Sequence, residues 1–128
     1  MPVFQAERYA RFAGTTAAVS TTGKTTIEVV PGSTAPVPVQ ILRVKCKRAT
    51  GAAAATFTPR IYSASGASAS DITQEYAGTA TAVASLFDAT NIQGWCQTDS
   101  SGNLYFQVNP DVGGTDTWSY VVDLLVYR

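Results

Sequence analysis

The last eleven residues, "WSYVVDLLVYR" (Trp118 to Arg128), constrain the fold more than any other stretch. Trp118, Tyr120, Val122, Leu124 and Val126 all occupy even positions. A β-strand places such residues on one face, whereas a helix would scatter them around its axis. The odd positions are apolar too: Val121, Leu125 and Tyr127, with Asp123 between them. A strand apolar on both faces is either central and covered twice or part of a subunit contact. The odd face is therefore an expected oligomer interface, in which Asp123 needs a cationic partner such as Arg128 of a neighbouring copy.

The same period of two recurs upstream, and helical periodicity hardly appears. In "VQILRVKCKR" the pattern predicts a half-buried strand with Leu42, Val44 and Cys46 on one face and Arg43, Lys45 and Lys47 on the other. "TIEVV", "TFTPRIY" and "DITQEYAG" read as further strands, with Pro59 placing its strand at an edge or a bulge. "GWCQTD" and "NLYFQVN" flank "SSG", which reads as a hairpin turn in which Gly102 supplies a positive φ. Leu104, Phe106 and Val108 would then face the core. "ATAVASLFDATN" fits a strand slightly better than a short helix. Seven to nine short antiparallel strands in one chain of 128 residues predict an all-β, single-domain, jelly-roll-like β-sandwich. The aromatics Phe4, Tyr9 and Phe12 follow no clean period, so residues 1–20 are expected to form an N-terminal arm and residues 21–128 the sandwich.

Composition narrows the chemistry. The chain contains no His, which removes Ser/His and Cys/His nucleophile pairs and the commonest metal ligand. "TTGKTT" around Lys24 lacks the upstream glycine of a phosphate-binding loop and reads as a polar turn. Asp99, Asp111 and Asp116 sit in oxygen-rich loops that calcium tolerates, but without the dense carboxylates of a strong site; ordinary turn residues are the better reading. No catalytic residue, cofactor or metal is expected. The formal net charge is zero, which gives no electrostatic reason for a nucleic acid or membrane partner. Only 14% of residues are charged, so the surface must be rich in hydroxyls and small groups suited to contact. The row Arg43, Lys45 and Lys47 is a polar contact candidate for an acidic protein, or simply a solvated strand face. Trp95, Tyr105, Trp118 and Tyr120 would form a sugar platform only if they left the core, where Trp118 and Tyr120 are expected. Cys46 and Cys96 are read as free thiols.

The short Met-initiated chain, the run "PRIYSASGASASDITQEYAGTATAVASLFDAT" and the later "DSSGNLYFQVNPDVGGTDTWSYVV" resemble small virion structural proteins of tailed bacteriophages, most of all capsid decoration (cement) proteins. The resemblance implies a jelly roll, a homotrimer favoured, and the major capsid protein or another virion protein as partner. It also implies a place on the capsid surface after synthesis in the host cytoplasm. Phe4, Tyr9 and Phe12 would be the capsid-contact arm. Head-fibre, neck or tail-associated proteins are the neighbouring expectation, and a carbohydrate-binding β-sandwich is the expectation from a different class.

Overall fold

The computed structural model describes residues 7–16, 24–50, 57–64, 74–77, 86–110 and 117–128. They contain eight strands: β1 (Glu7–Thr15), β2 (Thr25–Glu28), β3 (Pro38–Thr50), β4 (Phe57–Tyr62), β5 (Gln74–Ala77), β6 (Leu86–Gln97), β7 (Asn103–Pro110) and β8 (Thr117–Tyr127). Two four-stranded sheets form, in the orders β1-β8-β3-β6 and β2-β7-β4-β5, and every pairing is antiparallel. The chain changes sheet at nearly every connection and stays in one only between β4 and β5. This strand order is that of a jelly roll, the double-sheet solution to the edge-strand problem.

The core lies between the sheets and follows the alternation. Val122, Leu124 and Val126 of β8 meet Leu104, Phe106 and Val108 of β7, with Ile27, Ile61 and Trp118 buried among them. Tyr120 packs against this core from its rim, its ring 5.0 Å from that of Phe106. One strand departs from its expected phase. Val39 and Ile41 point inward at odd positions, whereas Val44 and Cys46 point inward at even ones. A register shift between Ile41 and Arg43 makes the switch: against β8 Leu42 is the extra residue, against β6 the extra residues lie on β6, and Leu42 is half-buried and not a core residue. The bulge lets one strand fill the core along its whole length while Gln40, Arg43, Lys45 and Lys47 all stay outside.

Two further expectations are corrected. Residues 7–15 are not part of an arm: they form β1, paired along nine residues with β8, so the sandwich begins well before residue 21. Ala10 and Phe12 pack against the core from this strand. Phe4 lies outside the described residues. Pro59 sits in β4, an inner strand between β7 and β5, where the described pairing with β5 starts only at Arg60. The two thiols cannot bridge within the chain. Cys46 pairs with Phe87 and Cys96 with Val39, seven positions apart along the same two strands, or about 20 Å. Burial pushes the Cys46 thiol up to about 12, so it behaves as a small core hydrophobe.

The turn before β7 has the positive φ expected at Gly102 but does not close a hairpin: β6 and β7 lie in different sheets, so the turn carries the chain across the sandwich. Gly102 adopts φ +80°, its N–H donates to the Asp99 carbonyl at 3.1 Å, and its own carbonyl accepts from the amides of both Val29 and Val30 at 3.0 Å. The turn thus ties the β2 exit to the crossing from β6 to β7.

Candidate functional site: the open face of the β1-β8-β3-β6 sheet

The two outer faces of the sandwich differ. On the β2-β7-β4-β5 sheet, Tyr62 alternates with core-facing Ile61, yet its ring is fully buried and its hydroxyl donates to Gln107 Oε1 at 3.2 Å. The Lys24 ammonium stands 4.9 Å from that ring, a cation–π contact, and the rest of its polar turn before Lys24 lies outside the described residues. That face is covered at its centre. The outer face of the other sheet is open. Both exposed large apolar side chains among the described residues, Trp95 (63%) and Tyr9 (55%), lie on it.

The register orders this face into rows across the strands. Tyr9 pairs with Leu125, Leu125 with Gln40, and Gln40 with Trp95, so one row crosses all four strands. Three inter-strand spacings give it a length of about 14 Å. Tyr127 adjoins the row: its ring lies 4.6 Å from that of Trp95 at 37°, and its hydroxyl donates to Gln40 Oε1 at 3.2 Å. The next row joins Arg11, Asp123 and Arg43. The third places Val121 between Ala13 and Lys45, and the fourth places Ser119 between Thr15 and Lys47. Lys45, Lys47, Ser119, Tyr120 and Val121 line a shallow groove of about 200 Å³ at this basic end. The face therefore runs from aromatic through ion-paired to basic.

The middle row is neutralised within the chain. Arg11 grips Asp123 with both arms of the carboxylate, Nε to Oδ1 at 2.7 Å and a terminal nitrogen to Oδ2 at 3.1 Å. The sequence assigned this role to Arg128 of a neighbouring copy; the structure assigns it to Arg11, directly opposite on β1. The Arg11 hydrogen bonds hold the Asp123 carboxyl below its ordinary value, against the desolvation of a side chain only 6% exposed, with the Tyr9 hydroxyl and Arg43 adding to the effect. The Arg11 guanidinium is correspondingly pushed up by Asp123.

A depressed native value means that the pair stabilises the fold fully above the unfolded carboxyl value of 3.8, and that this contribution is lost as pH falls through the lower native one. Urea midpoints should therefore drop steeply between about pH 4 and pH 2 in the wild type. Asp123→Asn should be less stable at neutral pH and show a shallower acid limb. Parallel limbs in the two proteins would show that the pair contributes nothing.

Most of the remaining expected residues fall into place around this face. Arg43, Lys45 and Lys47 do share the outer side of β3. Val121, Asp123, Leu125 and Tyr127 share the outer side of β8 but fall into different rows, Val121 with the lysines and Tyr127 with Trp95. Of the proposed sugar-platform residues, Trp118 is buried and Tyr120 packs inward. Tyr105 donates its hydroxyl to Asp99 Oδ2 at 2.7 Å. Asp99 Oδ1 accepts from the Ser101 and Asn103 amides, each at 2.9 Å. Burial pushes the Asp99 carboxyl up, but these three hydrogen bonds outweigh it and hold the group below its ordinary value. It is a turn-closing carboxylate. Asp111 and Asp116 lie outside the described residues, and among those described no three His, Cys, Asp or Glu come together as metal ligands.

Two participants were missed by sequence reasoning. Gln40 and Arg11 matter here only because the register sets them beside Trp95 and Asp123, and no local pattern carries that information. No protein-family model matches this sequence, and no curated protein is similar to it.

Proposed function

We propose that the protein is a non-enzymatic virion structural protein, a capsid decoration protein of the tailed-bacteriophage kind, which works by seating its open sheet face on neighbouring subunits at the capsid surface. One observation carries this reading: an eight-stranded jelly roll keeps one outer sheet face uncovered, and that face ends in an apolar groove between two lysines. The carboxylates best placed for chemistry are already committed, Asp123 to Arg11 and Asp99 to its own turn. The internal ion pair satisfies the middle row within the chain and leaves the charge of the basic end for a partner.

The contact proposed is the basic end. Val121 offers an apolar patch, while Lys45 and Lys47 meet acidic side chains of the next subunit. A homotrimer formed this way repeats a heterologous contact around a closed ring. Weak contacts to the capsid, repeated by that symmetry, then add to a large avidity.

Val121→Asp tests the reading. Lys45 stands opposite in the register, so the variant should fold. It should nevertheless give a smaller species than the wild type in light scattering at micromolar concentration, and lose co-sedimentation with expanded empty heads. A variant that assembles and sediments as the wild type does would contradict the proposal.

A further inference from the structure

The other end of the same face points to a different ligand. We infer that the row Tyr9, Leu125, Gln40 and Trp95, with Tyr127 beside it, is a binding platform for pyranose sugars. The inference goes beyond the capsid reading and does not depend on it.

The chemistry of the row fits a sugar, which presents an apolar C–H face and a rim of hydroxyls. Trp95 is the most exposed large apolar side chain described, and its ring leans on Tyr127, which fixes it against a four-stranded sheet. An indole held in this way can stack on the C–H face at little cost in side-chain entropy. Leu125 continues the apolar floor. Polar groups stand where hydroxyls would fall: Gln40 accepts from Tyr127 through Oε1, so its amide nitrogen has donors to offer. The Arg11 side chain, held by Asp123 yet half exposed, borders the row on its other side.

Size argues for a small ligand over a protein at this end. The row is about 14 Å long and one residue wide, some 100 Å², against about 800 Å² that each partner buries in a stable protein contact. The ion-paired row closes it on one flank, so the apolar strip cannot widen in that direction. A short oligosaccharide laid across the strands would cover the strip and place its hydroxyls over Gln40 and Arg11.

The full chain should be titrated with a panel of neutral oligosaccharides of glucose, galactose, mannose and N-acetylglucosamine. Saturation-transfer NMR and calorimetry are the readouts. At least one member should bind with a dissociation constant near the millimolar range, as a single stacked ring with a few hydrogen bonds would give. Trp95→Ala should weaken it at least about tenfold, with Trp95→Phe restoring part of the loss. Val121→Asp should leave it unchanged, so failure of the assembly proposal would be seen separately. The inference is overturned if no sugar of the panel binds at millimolar concentration, or if binding survives Trp95→Ala. It is equally overturned if Trp95→Ala instead abolishes self-association in light scattering, which would make the row a protein contact.

Discussion

Gly102→Ala should be the most damaging single substitution in the chain. A methyl group there would stand 2.2 Å from the Val30 carbonyl oxygen and 2.9 Å from the Ser33 Cβ, and the backbone sits at φ +80°. The Val30 carbonyl is held in place, since it accepts from the Ser33 amide while the Val29 and Val30 amides donate to the Gly102 carbonyl. The left-handed backbone alone costs a non-glycine residue about 1–2 kcal/mol, and losing the two hydrogen bonds adds about 1 kcal/mol each, so at least about 3 kcal/mol is expected. Gly32 provides the control. It has nearly the same φ, +76°, but nothing lies within 4 Å of a Cβ built on it. Gly32→Ala should therefore cost only the backbone contribution, about 1–2 kcal/mol. Equal losses in chemical denaturation would show that the packing of the turn on β2 plays no part.

Deleting residues 2–13 should have an effect of similar size. An arm ordered only on binding could be removed without harm, and that is what the aromatic pattern of the sequence suggested. β1, however, supplies the whole of β8's second ladder, covers the core with Phe12 and Ala10, and carries the guanidinium that neutralises Asp123. The truncated chain would leave a nearly buried carboxylate without its bidentate partner and turn the most apolar strand into a bare edge. The thermal midpoint should fall by at least about 10 °C, or the protein should aggregate on expression. An unchanged midpoint would show that β1 is dispensable and that the arm expectation was right.

These two cases show where the sequence was legible. The β8 stripe could be read because five large residues alternate without interruption, and the Gly102 turn because positive φ has few donors among the amino acids. β1 hid because its inward positions are Arg8, Ala10, Phe12 and Gly14, only one of them large and apolar. An edge strand covers less core, so its alternation is weak. The Leu42 bulge hid for the opposite reason: Ile41 and Leu42 are both apolar, and either phase satisfies the pattern. As for the site, the odd face of β8 and the lysine row of β3 were legible as separate strips. Their assembly into graded rows was not, since it depends on pairings such as that of Arg11 with Asp123, 112 residues apart. Trp95 beside Cys96 offers two aromatic or sulfur side chains in succession, and only the packing of Cys96 against the core decides that Trp95 points out.

The central claim is that the basic end of the open sheet face is an assembly contact. The molar mass of the wild-type chain in solution tests it most directly. Light scattering at micromolar concentration should return about 40 kDa, three copies of the 13.5 kDa chain, for a closed ring. A mass of 13.5 kDa that does not change with concentration would contradict it.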